Sequence, residues 1–435
     1  MTKGFNQRVP FYSIFSLRRG LNITRANYQE IGVPCLSYGD VHSRYLGFVD
    51  AVKQTLPKVS ETYIKTNPQC LLKAGEFVFA DTSEDYEGAG NCTCVLNNAD
   101  ALFAGYHTTV ASPTKKYICS RYYGYYFLSD DFRTQIRKEV TGIKVFSVTN
   151  RILNATRIIF PDLKAQKYIA DFLDEKLKAV DNIIYYKIDT LKKLSEYRQS
   201  LITHAVTKGL DLNVKLKDVN FSCLPHIPVN WSLTKVLNVL SQPITDGPHE
   251  TPIFTGDGIP FISAEAVSSG VINFEKKRGY ISQAYYEECC KKYIPQKGDV
   301  YIIKSGATTG RSAMVQTDEI FQIWSPLAAL RAKKEVLLPD FLLYLTKSSY
   351  FERQIQDNWS FGTQQNIGMR VLEKLSLALP PMLEQESIVS FLNKKCSEID
   401  STVRLINDNI RKLQEYRTSL ISAAVTGKID INEVK

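Results

Sequence analysis

Apolar residues recur in alternating steps of four and three along two stretches of this chain. From Leu392 the rhythm runs through Cys396, Ile399, Val403, Ile406, Ile410, Leu413 and Leu420, broken only by Arg417. An earlier stretch gives Leu173, Leu177, Val180, Ile184, Leu191, Leu194 and Leu201, interrupted by Lys187 and Arg198. Sustained 4-3 spacing is the pattern of a coiled-coil seam. Each stretch follows proline, Pro161 in one case and Pro380-Pro381 in the other, which suits the first turn of a helix. The spacing predicts helices over 161–208 and 380–427, each roughly 60–65 Å long at 1.5 Å per residue. So narrow an apolar stripe cannot stand alone; the alternative is that each helix packs on its own domain, and the reading preferred is that the two pack on each other as an antiparallel pair. Arg198 and Arg417 then fall at equivalent seam positions, where they pair across the seam or reach out to solvent.

The two stretches are copies of one another. Lys193-Leu-Ser-Glu-Tyr-Arg-Gln-Ser-Leu-Ile-Thr-His-Ala-Val-Thr207 returns as Lys412-Leu-Gln-Glu-Tyr-Arg-Thr-Ser-Leu-Ile-Ser-Ala-Ala-Val-Thr426, an offset of 219 residues (193 to 412). At the same offset Gln166-Lys-Tyr-Ile-Ala-Asp-Phe-Leu173 matches Gln385-Glu-Ser-Ile-Val-Ser-Phe-Leu392, and Asp211-Leu-Asn213 answers Asp430-Ile-Asn432. A self-match at such a distance means two like modules in tandem, not a short-period solenoid.

The remaining segments, 1–157 and 218–378, carry short β-branched and aromatic runs punctuated by Gly, Pro, Asn and Asp. They read as two similar domains with modest, irregular sheets. Gly32-Val-Pro-Cys-Leu-Ser echoes Gly258-Ile-Pro-Phe-Ile-Ser, Gly75-Glu-Phe-Val-Phe79 echoes Gly298-Asp-Val-Tyr-Ile302, and Phe132-Arg-Thr-Gln-Ile136 echoes Phe351-Glu-Arg-Gln-Ile355. The fold class is therefore α+β (mixed α/β), two similar domains separated by two long helices with pseudo-twofold character. The helices match closely while the domains share only a skeleton, as expected of two recognition modules for different targets.

Composition narrows the partners. At 435 residues the chain needs more than one core, and its net charge of +9 favours an acidic partner such as nucleic acid or an anionic membrane. No run approaches the roughly 18–20 apolar residues of a membrane span, and no signal-peptide core follows Met1. The nine cysteines form no regular framework and no second pair at zinc-site spacing accompanies Cys92-Thr-Cys94 or Cys289-Cys290. Reduced thiols in a cytoplasm are expected.

Thr245-Asp-Gly-Pro-His-Glu-Thr-Pro252, Gly258-Ile-Pro-Phe-Ile-Ser263, Lys304-Ser-Gly-Ala-Thr-Thr-Gly-Arg-Ser312, Phe361-Gly-Thr-Gln-Gln-Asn-Ile367 and Leu377-Ala-Leu-Pro-Pro381 resemble motifs of target recognition domains. With the order domain, helix, domain, helix, the whole chain resembles specificity subunits of type I restriction-modification systems. The resemblance implies a non-catalytic subunit that reads a bipartite asymmetric site in double-stranded DNA, one half per domain. It implies spacer helices that dock DNA methyltransferase subunits, two being expected, and a full complex that adds restriction subunits. S-adenosylmethionine, ATP and Mg²⁺ would be bound by those partners, and no cofactor, metal or membrane by this chain. The first domain departs from the pattern: it has Gly142-Ile-Lys-Val-Phe-Ser147 where the second has Gly362-Thr-Gln-Gln-Asn-Ile367, and no clear counterpart of Asp246-Gly-Pro-His249 or of the turn from Gly306 to Gly310.

Reading DNA takes donors and acceptors on base edges, with cations and backbone amides on phosphates. In the second domain the candidates are Asp246 and His249, the turn carrying Lys304, Ser305, Thr308, Thr309 and Arg311, and the amide run Thr363, Gln364, Gln365 and Asn366. The turn is expected to lay backbone N–H groups and Arg311 on phosphate; the alternatives are a tight turn between strands and, for His249, a histidine that stabilises its own turn. In the first domain the basic stretch gives Arg18, Arg19 and Arg25, followed by His42, Arg44, Tyr45, Lys115, Lys116 and Arg121. A solvated basic surface is the alternative for each of the latter.

Enzymatic readings fail on spacing. Gly306-Ala-Thr-Thr-Gly-Arg-Ser312 is one residue short of a P-loop and has Arg in place of its Lys. Pro161-Asp162 with Asp174-Glu-Lys176 imitates a nuclease pattern but falls on the heptad helix, and no Asn-Pro-Pro-aromatic sequence of an amino-methyltransferase occurs. The rival to DNA recognition is a non-catalytic coiled-coil adaptor for protein partners; co-purification with a methyltransferase separates the two.

Overall fold

The computed structural model describes residues 7–142, 144–361 and 365–429. Its compact units do not follow the four segments of the sequence. One joins Met1–Lys187 to Asn407–Lys435 and the other spans Ile188–Ile406, so each contains half of each long helix.

The first unit is built on strands β1 (Phe15–Arg19), β2 (Val33–Leu36), β3 (Gly47–Asp50), β4 (Phe77–Ala80), β5 (Cys92–Asn97), β6 (Phe103–Ala104) and β7 (Thr108–Pro113). Five of them form a sheet in the order β1-β7-β4-β5-β3, antiparallel throughout except where β3 joins β5 in parallel. A smaller sheet pairs β2 in parallel with β6 and antiparallel with Lys58–Val59. Side chains alternate across a strand. Phe77 and Phe79 of β4 therefore enter one core cluster, while Val78 and Ala80 enter another on the opposite face. Helices α1 (Ser120–Leu128) and α2 (Asp130–Glu139) follow, with Tyr122, Tyr123, Tyr126 and Phe127 buried in an aromatic core. Gly124 interrupts that aromatic run because a Cβ there would sit 2.5 Å from the Phe48 ring. Helix α3 (Leu163–Lys208) then leaves the unit.

The second unit repeats the plan with β8 (Thr245–Asp246), β9 (Ile259–Ile262), β10 (Val300–Ile303), β11 (Ser312–Met314), β12 (Gln322–Ile323) and β13 (Leu327–Leu330). The order β8-β13-β10-β11 is antiparallel, and β9 pairs in parallel with β12 beside Gly279–Ile281. Val300 and Ile302 of β10 face one cluster, Tyr301 and Ile303 the other. Helix α4 (Gln283–Cys290) precedes this sheet's central strands, α5 (Pro339–Thr346) and α6 (Ser349–Asn358) follow, and α7 (Met382–Val425) closes the repeat. The Phe132/Ile136 and Phe351/Ile355 echo marks the same buried face of α2 and α6.

Within each unit α3 and α7 run antiparallel. In the first, Leu173 and Leu177 share a core cluster with Leu420, Ile421, Ala424 and Val425, and Arg417 Nε donates to Asp181 Oδ1 at 3.1 Å. In the second, Ile202, Ala205 and Val206 cluster with Ile388, Leu392 and Cys396, and Arg198 Nη1 donates to Asp400 Oδ1 at 2.5 Å. The two ion pairs exchange roles under the 219-residue offset: Asp181 corresponds to Asp400 and Arg198 to Arg417. The seam arginines thus pair across the helices. The seam is graded. Leu173, Leu177, Val180, Leu392, Cys396 and Ile399 are buried, whereas Ile184, Leu191, Leu194, Val403, Ile406, Ile410 and Leu413 are half-buried. Helix ends merge with the domain cores.

The same offset relates the bonds that fix each helix to its domain. Tyr125 donates to Asp174 at 2.6 Å in the first unit and Tyr344 to Asn393 at 2.6 Å in the second. Fully buried Gln166 accepts from the Cys119 amide at 2.8 Å and donates to the Pro161 carbonyl at 2.8 Å. Gln385 accepts from Leu338 at 2.9 Å and donates to Pro380 at 3.0 Å and Val336 at 2.9 Å. Asp430-Ile-Asn432, the second copy of the tail, lies outside the described residues.

Candidate nucleic-acid interface

Three segments far apart in sequence meet at one end of the second domain's sheet. β8 stops after two residues as the chain turns through Gly247-Pro248, leaving Asp246 1% exposed. Its carboxylate accepts from Lys292 Nζ at 2.5 Å and from Lys304 Nζ, with His249 Nε2 at 3.2 Å. A carboxylate buried alone costs several kcal/mol. Burial pushes the Asp246 carboxyl up, but the hydrogen bonds from Lys292 and Lys304 outweigh it and hold the group below the usual carboxylate range. The lysine side chains differ in reach: Lys304 is 11% exposed and Lys292 51%. One carboxylate thus holds two ammonium groups, and the excess positive charge is presented to solvent by Lys292.

Lys304 links this cluster to the other two segments. Its carbonyl accepts from Ile367 N at 2.9 Å, and Gly306 N donates to Gln365 O at 3.1 Å, so the turn after β10 lies against Gln365 and Asn366. Thr309 Oγ1 closes the turn onto Gly306 O at 2.7 Å. Gly306 and Gly310 have φ of 99° and 91°, conformations that favour glycine. The N–H groups of Gly306, Thr309, Gly310 and Arg311 donate to backbone carbonyls, so these four amides are not offered to phosphate. Arg311 is exposed, donating to Ser268 O at 2.7 Å; Ser305 and Thr308 are half-buried and Asn366 is exposed. Thr363 and Gln364 lie outside the described residues.

The first domain distributes its candidates between opposite ends of the sheet. Arg19 and Arg25 lie where β1 ends, Arg25 donating to the Tyr106 hydroxyl at 3.0 Å. Arg18 turns inward, forking onto Glu76 at 2.8 and 2.6 Å and onto the Leu71 carbonyl. His42 bonds Ser83 Oγ at 2.9 Å, Tyr45 donates to Thr55 O at 2.8 Å, and Arg44 lies 3.7 Å from Asp40. Lys115 and Lys116 are exposed just past the far end of β7, beside the helix junction at Cys119. Arg121 belongs to that junction, paired with Asp171 at 2.7 Å and with Asp174. Tyr122 and Tyr123, which follow it in sequence, are fully buried core. Arg121→Ala is therefore expected to lower the melting temperature of the first unit. It should leave the slope of log DNA affinity against log salt unchanged; a slope about one unit shallower would instead mark a phosphate contact.

Sequence reasoning missed Lys292, Arg278, Tyr285 and Trp324. Tyr285 donates to Glu250 at 2.8 Å, Trp324 Nε1 donates to Glu250 O at 3.1 Å, and the Arg278 guanidinium lies 4.8 Å from the Trp324 ring centre. They sit on elements outside every motif; only Lys291-Lys292, a basic pair after α4, gave a signal. Among the described residues no group of three or more His, Cys, Asp or Glu is placed to hold a metal ion. No helix among them is long and apolar enough to cross a membrane.

The sequence matches the family described as type I restriction modification DNA specificity domain over residues 13–193 and 251–414. It is 22% identical to the type I restriction enzyme EcoBI specificity subunit of Escherichia coli over 313 residues, 70% of this chain and 65% of that protein. Against the MjaVIII specificity subunit of Methanocaldococcus jannaschii it is 21% identical over 304 residues, 69% of this chain and 68% of the relative. The matches thus span about two thirds of these relatives' length. A chain from a solved structure concerned with complex assembly and conformational transition of the type I R-M system superposes with a TM-score of 0.71 at 17% identity, covering 97% of this chain and 98% of that one. The HsdS subunit from Thermoanaerobacter tengcongensis gives 0.51 at 17% identity, covering 97% of each. At that identity the likeness shows fold.

Proposed function

We infer function from membership: the chain belongs to the type I restriction modification DNA specificity domain family, with one match in each half. It is a specificity subunit of a type I restriction-modification system. Within that role, it reads a bipartite, asymmetric site in double-stranded DNA, each domain reading one half. It is non-catalytic; its methyltransferase subunits, two of them, bring S-adenosylmethionine, and restriction subunits bring ATP and Mg²⁺, in a cytoplasmic complex.

The observation that carries this reading is the unequal repeat. Ion pairs, buried glutamines and tyrosine bonds of the helix junctions recur at one offset, whereas the sheet ends that carry the candidate contacts differ residue by residue. Near-symmetry suits docking of like subunits and divergence suits two different half-sites. Exchanging residues 1–157 for the corresponding domain of another family member is expected to change one half-site of the methylated sequence and leave the other intact. A change in both halves would refute separate reading.

A further inference from the structure

The two domains, so unlike in sequence at their sheet ends, follow the same chain path there: the carbonyl of Lys304 accepts from Ile367 N at 2.9 Å and that of Asp81 from Val148 N at 2.8 Å. Lys304, the residue after β10, donates its amide to the Pro326 carbonyl at 2.7 Å, just before β13. In the first domain Asp81, the residue after β4, donates its amide to the His107 carbonyl at 3.1 Å, just before β7. The chain leaving the edge strand lies beside the same turn in both. The contact is made with the roles exchanged: the turn donates in the second domain, Ser325 N to Pro248 O at 3.1 Å, and accepts in the first, Leu21 N donating to Ala104 O at 2.8 Å. Asp81 thus occupies the place of Lys304, and the loop that follows it, Thr82-Ser-Glu-Asp-Tyr-Glu-Gly-Ala-Gly90, occupies the place of Ser305–Arg311 with reversed charge.

That loop borders a cleft of about 610 Å³ lined by Arg25, Tyr38, Glu84, Tyr106, His107 and Val145. Tyr38 packs edge-on against both Tyr106 and His107, with ring centres 5.6 and 5.9 Å apart. Tyr38 also donates to Glu84 Oε1 at 3.2 Å. His107 holds φ at 53°, in the left-handed region that few non-glycine residues adopt, and lies 3.2 Å from Asp81. The loop is braced from behind, since Arg133 and Arg137 of α2 both donate to the Glu87 carbonyl. A braced, exposed carboxylate amid aromatic faces and an arginine suits one nucleic-acid chemistry. It repels phosphate, and it accepts from the exocyclic amino group of cytosine or adenine in the major groove.

We propose that the first domain reads its half-site through this cleft, with Glu84 as the specificity-determining acceptor for a base amino group and Tyr38 holding it in place. The assignment rests on the reading of the chain as a DNA specificity subunit. The experiment selects from a library of random 40-base-pair duplexes with the affinity-purified full chain and its co-purifying subunits, wild type against Glu84→Gln and Tyr38→Phe. Wild type is expected to enrich a split motif. Glu84→Gln should relax or switch one position in one half, changing its base preference roughly tenfold, and leave the other half intact. Tyr38→Phe should weaken the same position. A wild-type motif that Glu84→Gln reproduces unaltered overturns the cleft assignment alone; a wild type that enriches no motif overturns the DNA-specificity reading and the cleft with it. Glu84 is exposed, so an unchanged melting curve checks that the variant is folded.

Discussion

Gln385→Met is expected to destabilise the second unit by about 3–5 kcal/mol. The change keeps length and volume but removes every hydrogen bond of a fully buried amide. The Leu338 amide and the carbonyls of Val336 and Pro380 then lose a partner in the dry junction where α7 begins. Each buried polar group left unsatisfied costs about 1–3 kcal/mol, more than the net worth of a bond between satisfied groups. All three tryptophans, Trp231, Trp324 and Trp359, fall in Ile188–Ile406, so fluorescence reports that unit alone. The urea midpoint by fluorescence should fall with an unchanged m-value. Gln166→Met should lower the far-UV transition of the first unit and leave the fluorescence midpoint where it is. Its cost should be smaller, because its third contact, to Tyr117 O, is 3.4 Å long. An unshifted midpoint in Gln385→Met would show that the junction finds other partners.

These glutamines also mark what the sequence revealed. Both open the repeated block, and their match at 219 residues was visible, but nothing in an amide's identity told a buried latch from a solvated helix start. The heptads were legible because a seam depends on period alone: each seam position is buried or half-buried, and Arg198 and Arg417 found partners across it. The sheet ends were legible only where chemistry was written compactly. The turn from Lys304 to Arg311 and the segment around Gln365 proved to be neighbours, but the glycines that made the turn look like a phosphate cradle serve its own backbone bonds. In the first domain, charge counting found Arg25, which lines the cleft, but equally favoured Arg18 and Arg121, tied to Glu76, Asp171 and Asp174, and Lys115 and Lys116 at the helix end. The counterpart of the second domain's turn was hidden because its charge is inverted. Equivalence there lies in amide-to-carbonyl bonds such as Asp81 to His107, and those bonds leave no trace in side-chain identity.

The other large effect is expected at Asp246. Asp246→Asn should cost about 3–5 kcal/mol, the usual penalty for stripping a buried ion of its countercharge. Nearly all of it falls on the Lys304 side; the half-exposed Lys292 is screened by solvent and contributes little. The pH dependence follows from the depressed carboxyl. Its stabilisation is complete above the unperturbed value of 3.8 and is lost as pH falls through the lower folded value, so the gap between wild type and variant should narrow only below about pH 3.8. Adding Lys304→Met removes the stranded ammonium, and since a buried ion pair exchanged for apolar groups is often neutral, the double variant should recover most of the lost stability. DNA affinity should not recover with it. Asp246 fixes Lys292 beside the turn that carries Arg311, and freeing Lys292 costs the entropy of ordering it again on the duplex. Fluorescence anisotropy on a duplex carrying the methylated site should show at least a roughly tenfold loss in both variants. Recovery of binding along with stability would mean that the Asp246 cluster only holds the domain together and does not position a cation for DNA.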